Sequence, residues 1–143
     1  MGASVYVYWP GTGDDQQEAA PGFWNDCKAW GNWMVEREAE PRVRAQLTQL
    51  GLQAIMTCRT DGMRDDQVLW VAPEELRKAA DELRVLVLAK DPQVSTIIDT
   101  YARHANQVNP VHEELAADLD DVSVIAEFAR DEGATRMTLH VSW

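Results

Sequence analysis

Cationic side chains, cysteines and long apolar runs are all scarce in this sequence. Only 13 of its 143 residues are Lys or Arg, against 24 that are Asp or Glu, so the net charge is −11. Such a charge repels phosphate, which argues against binding to nucleic acid or to an anionic membrane. No apolar run approaches the ~20 residues of a membrane-spanning helix. The first residues are typical of a strand and not of a secretion signal.

Two cysteines, Cys27 and Cys58, are too few for the disulfide framework of a small secreted protein. We therefore expect a cytoplasmic protein with both thiols reduced. Its 45% apolar and 26% charged residues are ordinary for a globular protein, and six tryptophans supply large buried areas. We expect one domain over residues 1–143 that needs neither a disulfide nor a structural metal. The excess of arginine over lysine, with much Ala and Asp, is typical of a GC-rich bacterial genome.

Hydrophobic periodicity predicts an α+β fold with the order β-α-α-β-β-α-α-α-β. The strands are expected at residues 4–9, 52–59, 67–72 and 135–143. The middle two are expected to form a hairpin around the turn signal at residues 60–62. Helices are expected at residues 22–40, 41–50, 73–87, 92–105 and 110–132, and the last four begin at a proline. The pattern predicts a small mixed or antiparallel sheet packed against helices.

Each catalytic or ligand motif that the sequence suggests fails at a particular residue. The glycine loop at residues 11–13 has Gln16 where a dinucleotide fingerprint needs a third glycine, and no phosphate-loop lysine follows. Ala116 stands where a zinc-protease motif beginning at His112 needs a second histidine. The serines lack a Gly-x-Ser-x-Gly elbow, and the acidic pairs lack the spacing of a calcium loop. The sequence therefore predicts no catalytic residue, no metal ligand and no cofactor.

An aromatic cluster distinguishes the helix predicted at residues 22–40. At 100° per residue, its tryptophans fan over about half of the helix circumference. A helix in a two-layer domain buries a narrower stripe than that. Core packing is the simpler interpretation of these side chains. The alternative is that Trp24 or Trp33 faces outward, as an anchor for a partner or as the wall of a pocket.

Acidic residues are concentrated in the helix predicted at residues 110–132, and no Lys or Arg occurs between Arg103 and Arg130. On a helical wheel most of these acids lie opposite the apolar stripe and form one negative face: Glu113, Glu114, Asp120, Asp121 and Glu127. Asp118 is the exception, because it projects toward the apolar arc. Either it is a partly buried acid with a raised pKa, or the helix breaks at Leu119–Asp120. We favour the break.

These surfaces favour an acidic module that binds a basic protein through Trp24, Trp33, Glu113, Glu114, Asp120 and Asp121. In size, acidity and tryptophan content, though in no motif, the chain resembles the immunity proteins that inhibit bacterial toxins. That resemblance implies an acidic face that blocks a basic cleft.

Two other functions stay open. One is a small-molecule binder or enzyme whose pocket lies between the aromatic helix and the sheet. Its lining would be drawn from Tyr8, Trp24, Trp30, Trp33, His104, His112 and Asp118. The other is a structural subunit that oligomerises through an exposed aromatic patch.

Overall fold

A computed structural model describes residues 4–11, 41–60, 62–104 and 111–142 of the chain. The strands are β1 (Ser4–Tyr8), β2 (Arg59–Thr60) and β3 (Thr138–Ser142), and the helices are α1 (Pro41–Gln49), α2 (Pro73–Leu88), α3 (Pro92–His104) and α4 (Val111–Asp131). The α+β class and a small mixed sheet are confirmed, and these elements follow the predicted order. The aromatic helix predicted at residues 22–40 lies outside the described residues.

The sheet has three strands, with β3 between β1 and β2. β1 runs antiparallel to β3, so that Val7 lies opposite Leu139, and β2 runs parallel to β3. The predicted alternation of β3 gives it a core side, where Met137 and Leu139 are fully buried. On the other side, which the alternation predicts to face solvent, His140 is only half-buried and Thr138 is completely buried. This side is therefore less exposed to solvent than predicted.

The hairpin predicted between residues 52–59 and 67–72 does not form. Residues Gln53–Met56 make a 3₁₀ turn, closed by hydrogen bonds from the Ile55 amide to the Leu52 carbonyl and from the Thr57 amide to the Ala54 carbonyl (both 3.1 Å). Only Arg59–Thr60 remain as a strand, and the second segment contributes a single antiparallel bridge from Val71 to Met137. Both segments therefore reach the sheet through β3 and not through each other.

Local signals set the helix boundaries where the sequence predicts them. The Asp91 carboxylate accepts hydrogen bonds from the backbone amides of Gln93 (3.1 Å) and Val94 (3.2 Å), so it caps the start of α3. Pro73 and two glutamates begin α2, as the helix dipole favours. Gly51 and Gly133, with φ of 74° and 91°, supply the left-handed turns that follow α1 and α4.

The core lies between the sheet and the helices, and α2 and α4 make its most extensive helix contact. The two helices are antiparallel, because residues 74 and 77 near the start of α2 pair with residues 130 and 127 near the end of α4. Most of the predicted apolar stripes are buried: Leu76, Ala79, Ala80, Leu83 and Val87 on α2, and Leu115, Leu119, Val122, Ile125, Ala126 and Ala129 on α4. Leu86, predicted in the stripe of α2, is only half-buried. Cys58 is buried as well, as the alternation of its segment predicts.

An ion-pair network joins α2 to α4 at one end of the domain. Arg77 contacts Glu74 (3.0 Å), Asp81 (3.9 Å) and Glu127 (3.9 Å), and Arg130 contacts Glu74 and Asp131. Hydrogen bonds from the Arg77 and Arg130 guanidinium groups hold the pKa of Glu74 below its usual value. The ionised form of Glu74 is therefore stabilised in the folded protein.

This lowered pKa predicts an acid-dependent loss of stability at Glu74. A carboxyl group with a lower pKa in the folded state contributes stability above its ordinary pKa of 4.5, and loses it as the pH falls through the lowered value. Calorimetry of the wild type and Glu74→Gln from pH 7 to pH 3 should show melting temperatures that converge on acidification. Parallel curves would contradict the assignment, because the other carboxylates titrate in both proteins.

Candidate functional site

The acidic side of α4 is its most distinctive surface. Glu113, Glu114, Asp120 and Asp121 are all exposed, and together they are called the acidic face here. They share one continuous helix that contains no Lys or Arg before Arg130. The sequence therefore predicts correctly that these four carboxylates are presented on the solvent side of one element.

Asp118 projects toward the apolar side of α4, and only 9% of its surface is exposed. The helix runs without interruption from Val111 to Asp131, so the predicted break at Leu119–Asp120 is wrong. The burial of Asp118 in the other interpretation is confirmed, and the raised pKa that it includes stays a prediction. The physical reason is that residues 111–131 contain no Gly or Pro to end the helix, while Leu115, Leu119 and Val122 hold its apolar side in the core.

Electrostatics within the acidic face are unfavourable. Partial burial and the neighbouring charge of Asp120 both raise the pKa of Asp121 above its usual value. Within the described part of the chain, no ion pair or hydrogen bond from another residue compensates any of the four carboxylates. A cation placed against this face would relieve the repulsion.

Two arginines that lie on α4 or contact it form ion pairs at its C-terminal end. Arg77 and Arg130 serve the network that includes Glu127 and Asp131, so these two carboxylates of α4 have cationic partners. Glu127, which the sequence predicts on the negative face, is exposed but belongs to this paired end. Among the described residues, Glu113, Glu114, Asp120 and Asp121 form no such ion pair, and all four lie within residues 113–121 of α4.

The residues predicted for a pocket do not form one cluster among the described residues. Tyr8 lies on the outer side of the sheet, 5.8 Å from Trp70 between ring centroids and 4.6 Å below the Arg59 guanidinium. His112 instead contacts Ser95 at the start of α3. The tryptophans Trp24, Trp30 and Trp33 and the side chain of His104 lie outside the described residues, so their predicted roles stay predictions.

Ser95 and His112 form a pair that the sequence does not reveal, because they lie 17 positions apart on two successive helices. The Ser95 hydroxyl lies 3.3 Å from Nε2 of His112, within reach of a nucleophile and its base. Among the described residues, however, no third group orients the imidazole, and Asp91 already occupies the amides of Gln93 and Val94. The pair can hold α3 against α4, and the two α3 amides that Asp91 occupies are not available as oxyanion donors.

A cluster of cations and aromatic rings covers the outer side of the sheet. Arg59 lies over Tyr8, and Arg136 lies over Trp70 at 4.9 Å from the ring centroid. Arg59 Nη1 is 2.7 Å from Nδ1 of His140. Because a guanidinium group only donates hydrogen bonds, Nδ1 of His140 is the acceptor in this contact. Nε of Arg59 is buried without a hydrogen-bond partner and lies 3.7 Å from the Asp65 carboxylate.

A groove of about 310 Å³ opens beside α2. It is lined by the turn after α1, by residues 69–71 and by one side of α2. No periodic pattern in the sequence points to it, because its walls come from three separate segments. In the described ranges, no group of three or more His, Cys, Asp or Glu side chains could hold a metal ion. No helix in the same ranges is long and apolar enough to cross a membrane.

Comparisons of the chain with models of protein families, with curated proteins and with solved structures give no match. The function therefore has to be inferred from the residues themselves.

Proposed function

We propose that this chain is a protein-binding module that docks a basic partner through the acidic face of α4. The observation that carries the proposal is the pair Asp120–Asp121 in the middle of a helix. Aspartate is a poor helix former away from the first turn, and two adjacent like charges repel each other. Positions that cost local stability without a structural return are candidates for function.

The two glutamates of the acidic face have a weaker claim. Glu113 and Glu114 occupy the first turn of α4, where negative side chains stabilise the helix dipole. This stabilising role is therefore sufficient to explain why glutamates occupy these two positions. They also extend the negative surface formed by Asp120 and Asp121. Val124, one turn further along, is exposed over 42% of its surface and supplies an apolar contact beside the two aspartates.

The proposed partner is a basic protein. A net charge of −11 accelerates encounter with cations and disfavours nucleic acid. An inhibitor of the immunity type, which covers the basic cleft of a toxin, has this chemistry. Trp24 and Trp33 remain the predicted aromatic anchors of the contact. The scarcity of cysteine supports a cytoplasmic location, and one continuous cluster of buried residues in the described part of the chain supports one domain.

Replacing both aspartates should weaken binding while it strengthens the fold. Asp120→Ala/Asp121→Ala removes an unfavourable charge pair and improves helix propensity, which should raise the free energy of unfolding by up to about 1 kcal/mol. The same change should weaken binding of a basic partner about 3- to 30-fold at low ionic strength. This difference should shrink as salt is added, because salt screens exposed charges.

The measurement begins with capture of basic proteins from an extract of the source cells on the immobilised chain. The affinity of a purified captured protein is then measured by titration calorimetry at two ionic strengths. The control is Glu75→Gln/Glu82→Gln, which removes two exposed charges from α2. Equal weakening by both double variants, an affinity that does not depend on salt, or the capture of no basic protein would refute the proposal.

The two alternative functions, a small-molecule pocket and an oligomer, stay predictions from the sequence. A pocket between the aromatic helix and the sheet depends on Trp24, Trp30 and Trp33, and an oligomer formed through an aromatic patch depends on the same segment. Tryptophan fluorescence across a panel of metabolites tests the pocket, and light scattering at high protein concentration tests the oligomer.

A further inference from the structure

Apolar side chains are exposed on the solvent side of the antiparallel pair of helices α2 and α4. Four large hydrophobic side chains are exposed in the described residues, and three of them lie on this pair: Val85 (62%), Leu88 (53%) and Val124 (42%). At about 100° per residue, Val85 and Val124 stand nearly opposite the buried stripes of their helices. A single exposed apolar residue needs no explanation, but three on one surface indicate a contact surface.

The line along which α2 and α4 meet at the surface is called the seam here. It is bordered by Arg77, Arg84 and Leu88, which stand within about 20° of one another around α2, and by Asp120 and Glu127, which do so around α4. Arg77 pairs with Glu127 across the seam. About two turns further along, the antiparallel register brings Arg84 level with Asp120.

Arg84 and Asp120 repeat the arrangement of Arg77 and Glu127, but the second pair is not made. Among the described residues, neither Arg84 nor Asp120 forms an ion pair. Nε of Arg84 is buried without a hydrogen-bond partner, whereas its half-buried side chain still reaches the surface. The seam therefore presents a cation, an anion and exposed apolar groups that the chain itself does not pair.

We propose that the seam is the interface of a symmetric dimer with a second copy of this chain. A two-fold axis that runs along the seam places α2 of each copy on α4 of the other, and it keeps every residue at its level. Arg84 of one copy then meets Asp120 of the other, and this contact occurs twice. Val85 and Leu88 are covered by the facing helix.

Under this symmetry the charges of the seam are complementary to themselves. Residues at the same level attract each other within one copy, so they also attract each other across the axis. Three pairs of opposite charge lie level along the seam: Glu74 with Arg130, Arg77 with Glu127, and Arg84 with Asp120. The same register brings Glu113 level with Asp91, which follows the end of α2, so this repulsion falls at the edge of the contact.

Net charge opposes the dimer only over a long range. Each copy carries a charge of −11, but at 0.15 M salt charges more than about 8 Å apart are largely screened. The charge pairs across the seam are in contact and are screened less. Association should therefore be measured at this ionic strength.

The area of the seam predicts a weak dimer. α2 has 16 residues and is about 24 Å long, and two packed helices are about 20 Å wide, so each copy buries on the order of 500 Å². A total of about 1,000 Å² is the lower limit for a specific interface. We therefore expect a dissociation constant of about 10–100 µM.

This inference goes beyond the proposed function and does not depend on it. Two copies can associate through the seam whether or not a basic partner exists. The dimer and such a partner compete for Asp120. Asp121 stands about 100° further around α4, away from the seam, and stays accessible in the dimer.

Analytical ultracentrifugation at protein concentrations up to about 500 µM measures the self-association. Val85→Ser/Leu88→Ser should weaken it at least about tenfold, because both side chains lose apolar contact area. Leu69→Ser is the matched control, since Leu69 is exposed over 47% of its surface but lies outside the two helices. It should leave the dissociation constant within about twofold of the wild type, and thermal unfolding checks that each variant is folded.

Charge reversal tests the contact between Arg84 and Asp120 of the two copies. Arg84→Asp and Asp120→Arg each turn two attractive contacts of the dimer into repulsive ones, so each variant alone should associate at least about tenfold more weakly. An equimolar mixture of the two variants should associate within about threefold of the wild type, because every contact then joins opposite charges. Pairing within one copy cannot produce this rescue, since each variant chain carries two like charges.

The proposal is overturned if the wild type stays monomeric up to the highest concentration, which leaves the seam to a different partner. It is also overturned if Val85→Ser/Leu88→Ser associates as well as Leu69→Ser, or if the mixture of charge-reversed variants associates no better than either variant alone. A monomeric chain can still bind a basic partner, and a dimer can form without one. Failure of this proposal and failure of docking through the acidic face are therefore separate results.

Discussion

Replacing Leu119 by alanine is expected to lower the free energy of unfolding by about 2–5 kcal/mol. Leu119 has none of its surface exposed and sits on the apolar side of α4, among Leu115, Val122 and the helix α2. Truncation removes buried methyl groups and leaves a cavity that the packed helices fill only partly. The same helix carries the acidic face, so this contact also holds Asp120 and Asp121 in position.

Val124→Ala is the matched control for this prediction. It truncates an apolar side chain on the same helix, but at a position exposed over 42% of its surface, so the expected change is within about 0.5 kcal/mol. Urea denaturation of the three proteins measures both effects, with similar slopes if unfolding stays two-state. Equal destabilisation by the two substitutions would contradict the packing described for α4.

Periodicity of 3.6 residues is sufficient to predict most of the helical layer. The stripes of α2 and α4 are long enough to be unambiguous, and a proline or an aspartate cap marks the start of each helix. The acidic face follows from the same wheel, because residues opposite a buried stripe have to face solvent. These parts of the fold depend on local sequence alone.

For Asp118, the helical wheel predicts the position of the side chain correctly, but the predicted break in the helix is wrong. The pattern places this carboxylate toward the core, and the structure buries it there. The break at Leu119–Asp120 follows from the assumption that an acid avoids the interior. That assumption neglects the apolar residues before and after Asp118, whose burial requires the helix to continue. Burying one carboxylate costs less free energy than ending the helix and exposing these apolar residues.

Short segments around the sheet were harder to predict. The alternation over residues 52–59 predicts a strand. In the structure the adjacent residues Ala54 and Ile55 are both buried. A strand with one solvent-exposed side cannot bury two adjacent side chains, because they point to opposite sides of the sheet. The one exception to the alternation, Ile55, was the signal for the 3₁₀ turn. The groove beside α2 had no such signal, since it arises only when residues 51–54, 69–71 and α2 meet.

Removing the buried hydroxyl of Thr57 is expected to cost more stability than removing that of Thr138. Oγ1 of Thr57 lies 2.6 Å from the Leu69 carbonyl oxygen and 2.7 Å from Oγ1 of Thr138, and both threonines are fully buried. A hydroxyl has one hydrogen. Thr57 therefore donates it to the carbonyl and accepts the hydrogen of Thr138. This chain of bonds joins the segment before β2 to β3 and to the loop that bears Leu69.

Thr57→Val removes the central member and leaves the Leu69 carbonyl and the Thr138 hydroxyl without their partner. It should therefore cost about 1–3 kcal/mol, since a buried polar group without a partner loses its solvation. Thr138→Val removes only the end of the chain and should cost less, about 1 kcal/mol. The double variant should cost less than the sum of the two single changes, because the second substitution removes a hydroxyl that the first has already isolated.

Urea denaturation of the four proteins completes this double-mutant cycle. Valine keeps the shape of threonine, so packing changes little and the differences report on the hydrogen bonds. An additive cycle, or a larger cost at Thr138 than at Thr57, would mean that the hydroxyls do not form the chain of donors described here. A larger loss of stability in Thr57→Val than in Thr138→Val indicates that Thr57 is the central hydroxyl, which has two partners to lose. Thr138 then donates the hydrogen bond between the two hydroxyls.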